Sequence, residues 1–239
     1  GDSCTGDTPI IFNNNGNIIV KRVDEFPNDL WTSYDKFKNM EVYDELIEKK
    51  QMRAYNERPN FSGLTNKEQI NMKYNNIQVW THKGWAKIRR IIRHKTNKKI
   101  YRVITNSGCV DITEDHSLLD GGCNQVKPKD CAVGTTLLHS FPDIMTSLNL
   151  DDSNALGTIR TDDKILAQQH YMTLKGMGYD VMINYDGEMY EIGRGVGGYD
   201  IKAIYVFHEV YGDSVYDIES ETGTFHAGVG EMLIKNTDS

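Results

Sequence analysis

Apolar residues fall in short alternating runs at both ends of the chain and through its middle. Two stretches with a different rhythm interrupt them. Near the start, Ile10-Ile11-Phe12 and Ile18-Ile19-Val20 flank Asn13-Asn14-Asn15-Gly16-Asn17, a hairpin pattern with turn-forming residues at its tip. From Val23 to about Asn76 the chain becomes charged, and Leu30, Tyr34, Phe37, Val42, Leu46 and Ile47 recur at roughly helical spacing. Pro59 and its Asn, Gly and Ser neighbours break that run. Short strands return from Ile77 to Phe141: Val79-Trp80, Ala86 to Ile88, Ile91-Ile92, Tyr101 to Val103 and Val110 to Ile112, punctuated by Gly84, Asn97 and Gly108.

The second departure runs from about Pro142 to Gly198. There Thr161-Asp162-Asp163 is suited to capping a helix carrying Ile165, Leu166, Met172 and Leu174, which Gly176 or Gly178 would end. Val181 to Tyr185 and Met189 to Ile192 then flank Asp186-Gly187 as a second hairpin, and Ile201 to Ile234 is again strand-like. The pattern is a β core interrupted by two insertions.

At 239 residues and 38% hydrophobic, the chain can build one sizeable core carrying an inserted subdomain. A net charge of −7 argues against a generally basic, nucleic-acid-binding surface. The local exception, Arg89-Arg90, Arg93, His94, Lys95, Lys98 and Lys99, reads as a solvated strand face. No apolar run approaches the length of about 20 residues that a membrane span needs, and the start has no signal-peptide pattern. Cys4, Cys109, Cys123 and Cys131 contain no Cys-x-x-Cys pair and match no zinc template, so free thiols in a reducing, intracellular compartment are expected, with no metal or cofactor.

The chemistry is concentrated at the two ends. Ser3-Cys4-Thr5-Gly6-Asp7-Thr8 opens with a hydroxyl nucleophile and runs into Gly-Asp-Thr. Thr113-Glu114-Asp115-His116 is a Thr-x-x-His following the run from Thr105 to Ile112. Ser214-Val215-Tyr216-Asp217-Ile218-Glu219 precedes Phe225-His226-Ala227, and Met232-Leu233-Ile234-Lys235-Asn236 is followed by Thr237. Taken in this order, the four blocks resemble those of inteins, protein elements that excise themselves and join their flanks. Deleting everything between Gly1-Asp2 and Thr237-Asp238-Ser239 leaves Gly-Asp-Thr-Asp-Ser, which resembles the metal-binding motif of family B DNA polymerases. The likeness is greatest to the polymerase inteins of large DNA viruses and archaea.

The resemblance implies a mainly β Hint (hedgehog/intein) horseshoe with two small helix-containing insertions. The expected division is residues 1–2 as N-terminal flank, 3–22, 77–141 and 199–236 as splicing domain, 23–76 and 142–198 as insertions, and 237–239 as C-terminal flank. By the same resemblance Ser3 attacks the Asp2 carbonyl and His116 protonates the departing Ser3 nitrogen. Thr113 either orients the scissile amide or supplies a hydrogen bond near its oxyanion. Thr237 is the second nucleophile, and Asn236 cyclises to release the element. Asp217 either links the two cleavages or is simply a strand-end carboxylate. The partners implied are the chain's own polymerase flanks, with no nucleic acid or membrane, acting as a monomer.

Two departures from the family stand out. Lys235 replaces the usual histidine before the terminal Asn, and a protonated lysine donates a hydrogen bond but shuttles protons poorly. The histidine usual before the Phe of the penultimate block is displaced to His226, which either takes over that role or alternates outward on its strand. The other histidines, among them His82 and His139, have no motif support. Residues 142–198 lack the paired LAGLIDADG motifs of a homing endonuclease, although the segment from Thr161 to Tyr179 resembles a remnant of one. A hedgehog-type autoprocessing domain would share the fold without needing the Asn236-Thr237 ending. A non-catalytic β-rich binding module is the alternative from another class.

Overall fold

The computed structural model describes residues 3–33, 67–144, 156–208 and 214–236. The strands, in chain order, are β1 (Cys4–Thr5), β2 (Pro9–Asn14), β3 (Asn17–Arg22), β4 (Thr32–Ser33), β5 (Glu68–Asn71), β6 (Ile77–Thr81), β7 (Gly84–His94), β8 (Ile100–Thr105), β9 (Gly108–Thr113), β10 (Leu118–Leu119) and β11 (Gln125–Val126). After them come β12 (Ile159–Thr161), helix α1 (Lys164–Gly176), β13 (Val181–Tyr185), β14 (Tyr190–Arg194), β15 (Ala203–Phe207), β16 (Val215–Ser220), β17 (Thr224–His226), β18 (Val229–Gly230) and β19 (Leu233–Lys235).

The main sheet runs β15-β8-β9-β1-β16-β7-β6-β2-β3, and its described pairings are antiparallel. Its start follows the sequence pattern: Asn14 pairs with Asn17 across Asn15 and Gly16, both at positive φ, the geometry a tight two-residue hairpin requires. Strand β7 binds the body together. Its first half pairs with β6 and its second half with β16 on one side and β5 on the other. A register shift at Glu219/Ser220 on β16 accompanies the crossing, as bulges do where a sheet bends.

Two expectations are corrected. Ala86–Ile88 and Ile91–Ile92 are one eleven-residue strand, because Ile91 and Ile92 are both buried and mask the alternation. Glu68–Asn71, inside the stretch expected to be helical, is strand β5; only Ile70 of its four residues is buried, too few to show a period of two. The remainder of the expected helical run, 34–66, lies outside the described residues. Its described flank holds a 3₁₀ turn at Asn28–Leu30.

Helix α1 begins where expected. Asp163 caps it, accepting from the Ile165 and Leu166 backbone N–H groups at 2.9 and 3.2 Å. Of the two glycines proposed to end it, Gly178 is the one at positive φ, and Tyr179 N–H returns to the Leu174 carbonyl at 3.1 Å, a Schellman closure. The buried face is the expected one only in part: Met172 and Leu174 face inward as expected, joined by Ala167, Gln168 and Tyr171, while Leu166 is 48% exposed. This face packs on β12, β13 and β14, which form a small sheet of their own, and on β18.

In the basic stretch of β7, Arg90 pairs with Glu219 and Arg93 with Glu68, while Arg93 also stacks over Trp31. All four cysteines are unpaired thiols. No described helix is long and apolar enough to cross a membrane.

Candidate active site

Both ends of the described chain converge on the turn that leaves β9. Strand β1 is only two residues long, but it is inserted between β9 and β16, with Cys4 opposite Ile112 on one side and Tyr216 on the other. That register sets Ser3 between Thr113 and Asp217. The Gly-Asp-Thr that follows secures the entry. A Cβ on Gly6 would meet Asp24 Oδ2 at 2.8 Å and the Tyr216 ring at 3.0 Å, and Thr5 Oγ1 donates to Asp7 Oδ1 at 2.7 Å.

Ser3 is 1% exposed. Its backbone N–H donates to Thr113 Oγ1 at 3.0 Å, and its carbonyl accepts from Thr113 N–H at 2.9 Å. Among the described residues Ser3 Oγ has no hydrogen-bond partner. The nitrogen held by Thr113 is that of the Asp2–Ser3 peptide bond, so of the two alternatives for Thr113 this geometry matches orientation of the amide.

His116 follows on a tight turn, its N–H donating to the Thr113 carbonyl at 3.0 Å, and its ring is buried. Asp217 is buried on β16, one residue beyond the partner of Cys4. Burial, reinforced by the Asp217 carboxylate, pushes the Cys4 thiol up to about 12, so the sulfur beside Ser3 remains protonated at neutral pH.

At the other end, β19 is held between β10 and β17, with Ile234 opposite both Leu118 and Phe225. Lys235 N–H donates to the Ser117 carbonyl at 3.0 Å. Asn236 N–H donates to the Gly223 carbonyl at 2.9 Å, and its side-chain Oδ1 lies 3.4 Å from Ser220 Oγ, whose hydroxyl donates to the Thr224 carbonyl at 2.5 Å. The residues from Thr113 to Ser117 therefore hold both ends, Ser3 through Thr113 and Lys235 through Ser117. Strand β16 does the same from the far side, with Asp217 beside Ser3 and Ser220 at Asn236. Thr237 lies outside the described residues.

His226 does not alternate outward: it is 1% exposed, its Nε2 bonds the Gly230 carbonyl and its ring meets Phe141 edge-on at 6.3 Å. Burial lowers its pKa to about 4, so it is neutral. The hydrogen bond ties His226 to the turn before β19. His82, which had no motif support, bonds Thr224 Oγ1 through Nδ1 at 2.6 Å, and Thr224 is the cross-strand partner of Lys235. Sequence reasoning missed both His82 and Ser220. Each reaches the site through a long-range pairing, and neither residue type signals this by itself.

No family model matches the chain. Over its full length it is 29% identical to part of a DNA polymerase of Acanthamoeba polyphaga mimivirus, in an alignment of 376 positions that covers 20% of that protein. The chain thus spans about a fifth of that relative, and the alignment crosses residues of the relative that this chain lacks. A stretch of 46 residues, 19% of the chain, is 61% identical to a DNA polymerase of Thermococcus sp. (strain GE8) and covers 3% of it. Among solved structures, the Pab PolII intein superposes with a TM-score of 0.52 at 13% identity, over 98% of this chain and 100% of that one. At that identity the likeness is one of fold.

Proposed function

We infer that this chain is an intein of a DNA polymerase, with the Hint fold, and that it splices itself out of its host. The observation that carries this reading is the hydrogen bonding of both ends to the single segment Thr113–Ser117. Intramolecular acyl transfer needs two distant junctions held in one place, and fixed proximity of reacting groups lowers such barriers by several kcal/mol.

In the first step Ser3 Oγ attacks the Asp2 carbonyl carbon. A C–O bond forms, the Asp2–Ser3 C–N bond breaks, and the hydroxyl proton replaces the lost acyl group on the Ser3 amine. Thr113 orients the amide through its N–H, and His116, one turn on, delivers the proton. In the second step Thr237 Oγ attacks the new ester and the acyl group moves to Thr237, with Asp217 linking the two junctions. Asn236 Nδ2 then attacks its own backbone carbonyl, closing a succinimide and releasing the Thr237 amine. That amine attacks the Asp2–Thr237 ester, which becomes an ordinary peptide bond. Each bond broken is replaced by another acyl bond, so one turnover needs no cofactor.

The intein consists of residues 3–236, and its partners are its own flanks in a family B polymerase, wherever in the cell that host resides. The insertion at 142–198 does not cleave DNA: it carries no LAGLIDADG pair, and the mimivirus alignment runs through residues missing here.

The test is to fuse a folded reporter to each end and follow the products by gel and mass spectrometry. A ligated reporter pair and a free intein ending in succinimide are expected. Ser3→Ala combined with Asn236→Ala should abolish both products. Persistent full-length fusion from the unmutated chain would sink the proposal, and transfer of the N-terminal reporter only to added nucleophile would favour the hedgehog-type reading.

A further inference from the structure

Helix α1 belongs by sequence to the insertion, but its polar side chains are engaged by the splicing body. Lys164, Gln168, Tyr171 and Lys175 follow a spacing of four, three and four residues, which forms one stripe on a helix. All four reach elements that lead to a splice junction.

At the first turn, Lys164 Nζ lies 2.6 Å from Asp7 Oδ1 and 2.6 Å from Asp111 Oδ2, with its side chain only 10% exposed. It also donates to Thr5 Oγ1 at 3.4 Å. Asp7 and Thr5 belong to the block that begins at Ser3. Asp111 shares a face of β9 with Thr113, two residues on. Arg102 completes the arrangement by gripping Asp111 with two 2.7 Å bonds, so two cations balance two carboxylates.

Further along the helix, fully buried Gln168 binds both backbone groups of Gly230. Its Oε1 accepts from the glycine N–H at 2.5 Å, and its Nε2 donates to the glycine carbonyl at 3.2 Å. Tyr171 OH donates to Glu231, which also meets Lys175 at 3.3 Å. Gly230 and Glu231 form the turn from which β19 runs to Asn236.

Gly230 pairs with Gly108 at one end of β9, and Asp111 lies three residues further on. Three strand residues span about 10 Å and the four-residue helical step from Lys164 to Gln168 about 6 Å, so the helix grips two separate points. Helix α1 thus holds an element of the N-terminal junction at one end and of the C-terminal junction at the other.

We propose that helix α1 is a two-ended brace of the splicing site, with Lys164 positioning the Ser3–Thr113 pair and Gln168 and Tyr171 positioning the turn that delivers Asn236. The insertion therefore serves splicing even without any action on DNA. This rests on the self-splicing reading, and the experiment separates the two.

The full chain carrying reporters is made in two backgrounds. Asn236→Ala isolates ester formation at Ser3, read by hydroxylamine cleavage, and Ser3→Ala isolates succinimide formation at Asn236. Lys164→Met should slow the first reaction about tenfold and leave the second within about twofold, while Gln168→Leu should do the reverse. Lys164→Arg, which keeps the charge, should restore most of the lost rate. Asp7→Asn, a milder change that leaves Asp111 with both cations, should slow the Ser3 reaction selectively, which keeps the test open if Lys164→Met folds poorly.

In the unreactive Ser3→Ala, Asn236→Ala chain, amide hydrogen exchange reads the same geometry without chemistry. Lys164→Met should deprotect Thr113 N–H and spare Lys235 N–H, and Gln168→Leu should show the opposite. A helix that merely stabilises the fold would lower the melting temperature and affect both junctions equally in both assays, and that result would overturn the brace. If the parent chain cleaves at neither end while exchange still separates the junctions, the splicing reading fails and the brace stands.

Discussion

Thr113→Val tests the first step at the atom that distinguishes catalysis from packing. The substitution replaces a hydroxyl with a methyl group in a fully buried position and removes the acceptor 3.0 Å from Ser3 N–H. A neutral hydrogen bond is worth about 0.5–1.5 kcal/mol net, and one to a charged group about 1.5–3 kcal/mol. Before reaction Thr113 holds a neutral amide. As the C–N bond breaks, the Ser3 nitrogen becomes an amine taking up positive charge, and the same bond becomes charge-assisted. Only the difference, about 1–1.5 kcal/mol, acts on the barrier, because interactions equally strong in ground and transition states do not change the rate constant. The expected slowing is thus roughly five- to fifteenfold.

The buried N–H left without an acceptor also costs the fold about 1–3 kcal/mol. For a chain of this size that lowers the melting temperature by several degrees. Both quantities are measurable in an Asn236→Ala background, where hydroxylamine cleavage gives the rate of ester formation and a thermal melt gives stability. A melting temperature that falls while the rate stays within about twofold would refute the reasoning, because Thr113 would then bind the amide equally in both states. Succinimide formation in a Ser3→Ala background should be unchanged, since Thr113 touches only the N-terminal end.

Lys235→His should speed asparagine cyclisation by about tenfold or more, because imidazole transfers protons near neutral pH where a protonated lysine does not; a timed gel of C-terminal cleavage checks this, and an unchanged or slower rate counts against it. Ser220→Ala removes the hydroxyl 3.4 Å from Asn236 Oδ1 and should slow the same step only about threefold, since a contact that long orients weakly. Burial lowers both His139 and His226 to about 4, so between about pH 4 and their unfolded value near 6.5 the unfolded chain binds more protons than the folded one. Stability should therefore rise with pH through that window and level off above it, as denaturant melts at pH 7 and about pH 5 would show, and a flat profile would exclude neutral buried rings. Gly230→Ala would set a Cβ 2.2 Å from the Ser107 carbonyl at a φ of +93°, and should lower expression and slow C-terminal cleavage more than N-terminal cleavage.

The fold was legible wherever one physical signal dominated. Asn15-Gly16 announced its hairpin because two adjacent positive-φ positions exclude most residues, and Asp163 announced a helix start because a short carboxylate satisfies orphan N–H groups. The proximity of Ser3 to the Thr-x-x-His follows from the β1–β9 pairing, which holds Ser3 against Thr113. What could not be read was set by partners far away in sequence. Strand β5 is a strand only because β7 offers it a free edge. Hydropathy puts Leu166 in the core and passes over Gln168, because it cannot foresee that a glutamine will satisfy both backbone groups of a tight glycine turn. His82 reaches Thr224 across 142 positions.

The two junctions are built from different materials, and this bears on where the sequence departs from the intein pattern it resembles. Ser3 is placed mostly by backbone: β1 is inserted between two strands whose register admits one alignment, and a slip of one residue would turn Ser3 and Cys4 to opposite faces. Asn236 is also anchored by its backbone, through Gly223, but its surroundings are side chains: Ser220 Oγ 3.4 Å from its amide oxygen, and on the neighbouring strand Thr224, which pairs with Lys235 and bonds His82. A ladder register cannot be altered gradually, whereas a side chain at the end of a strand can be exchanged without moving that strand. Exchanges of side chain are therefore accommodated more easily at the C-terminal junction than at the N-terminal one. By the same reasoning, substitutions there should alter rate with little loss of stability, whereas Thr113→Val alters both.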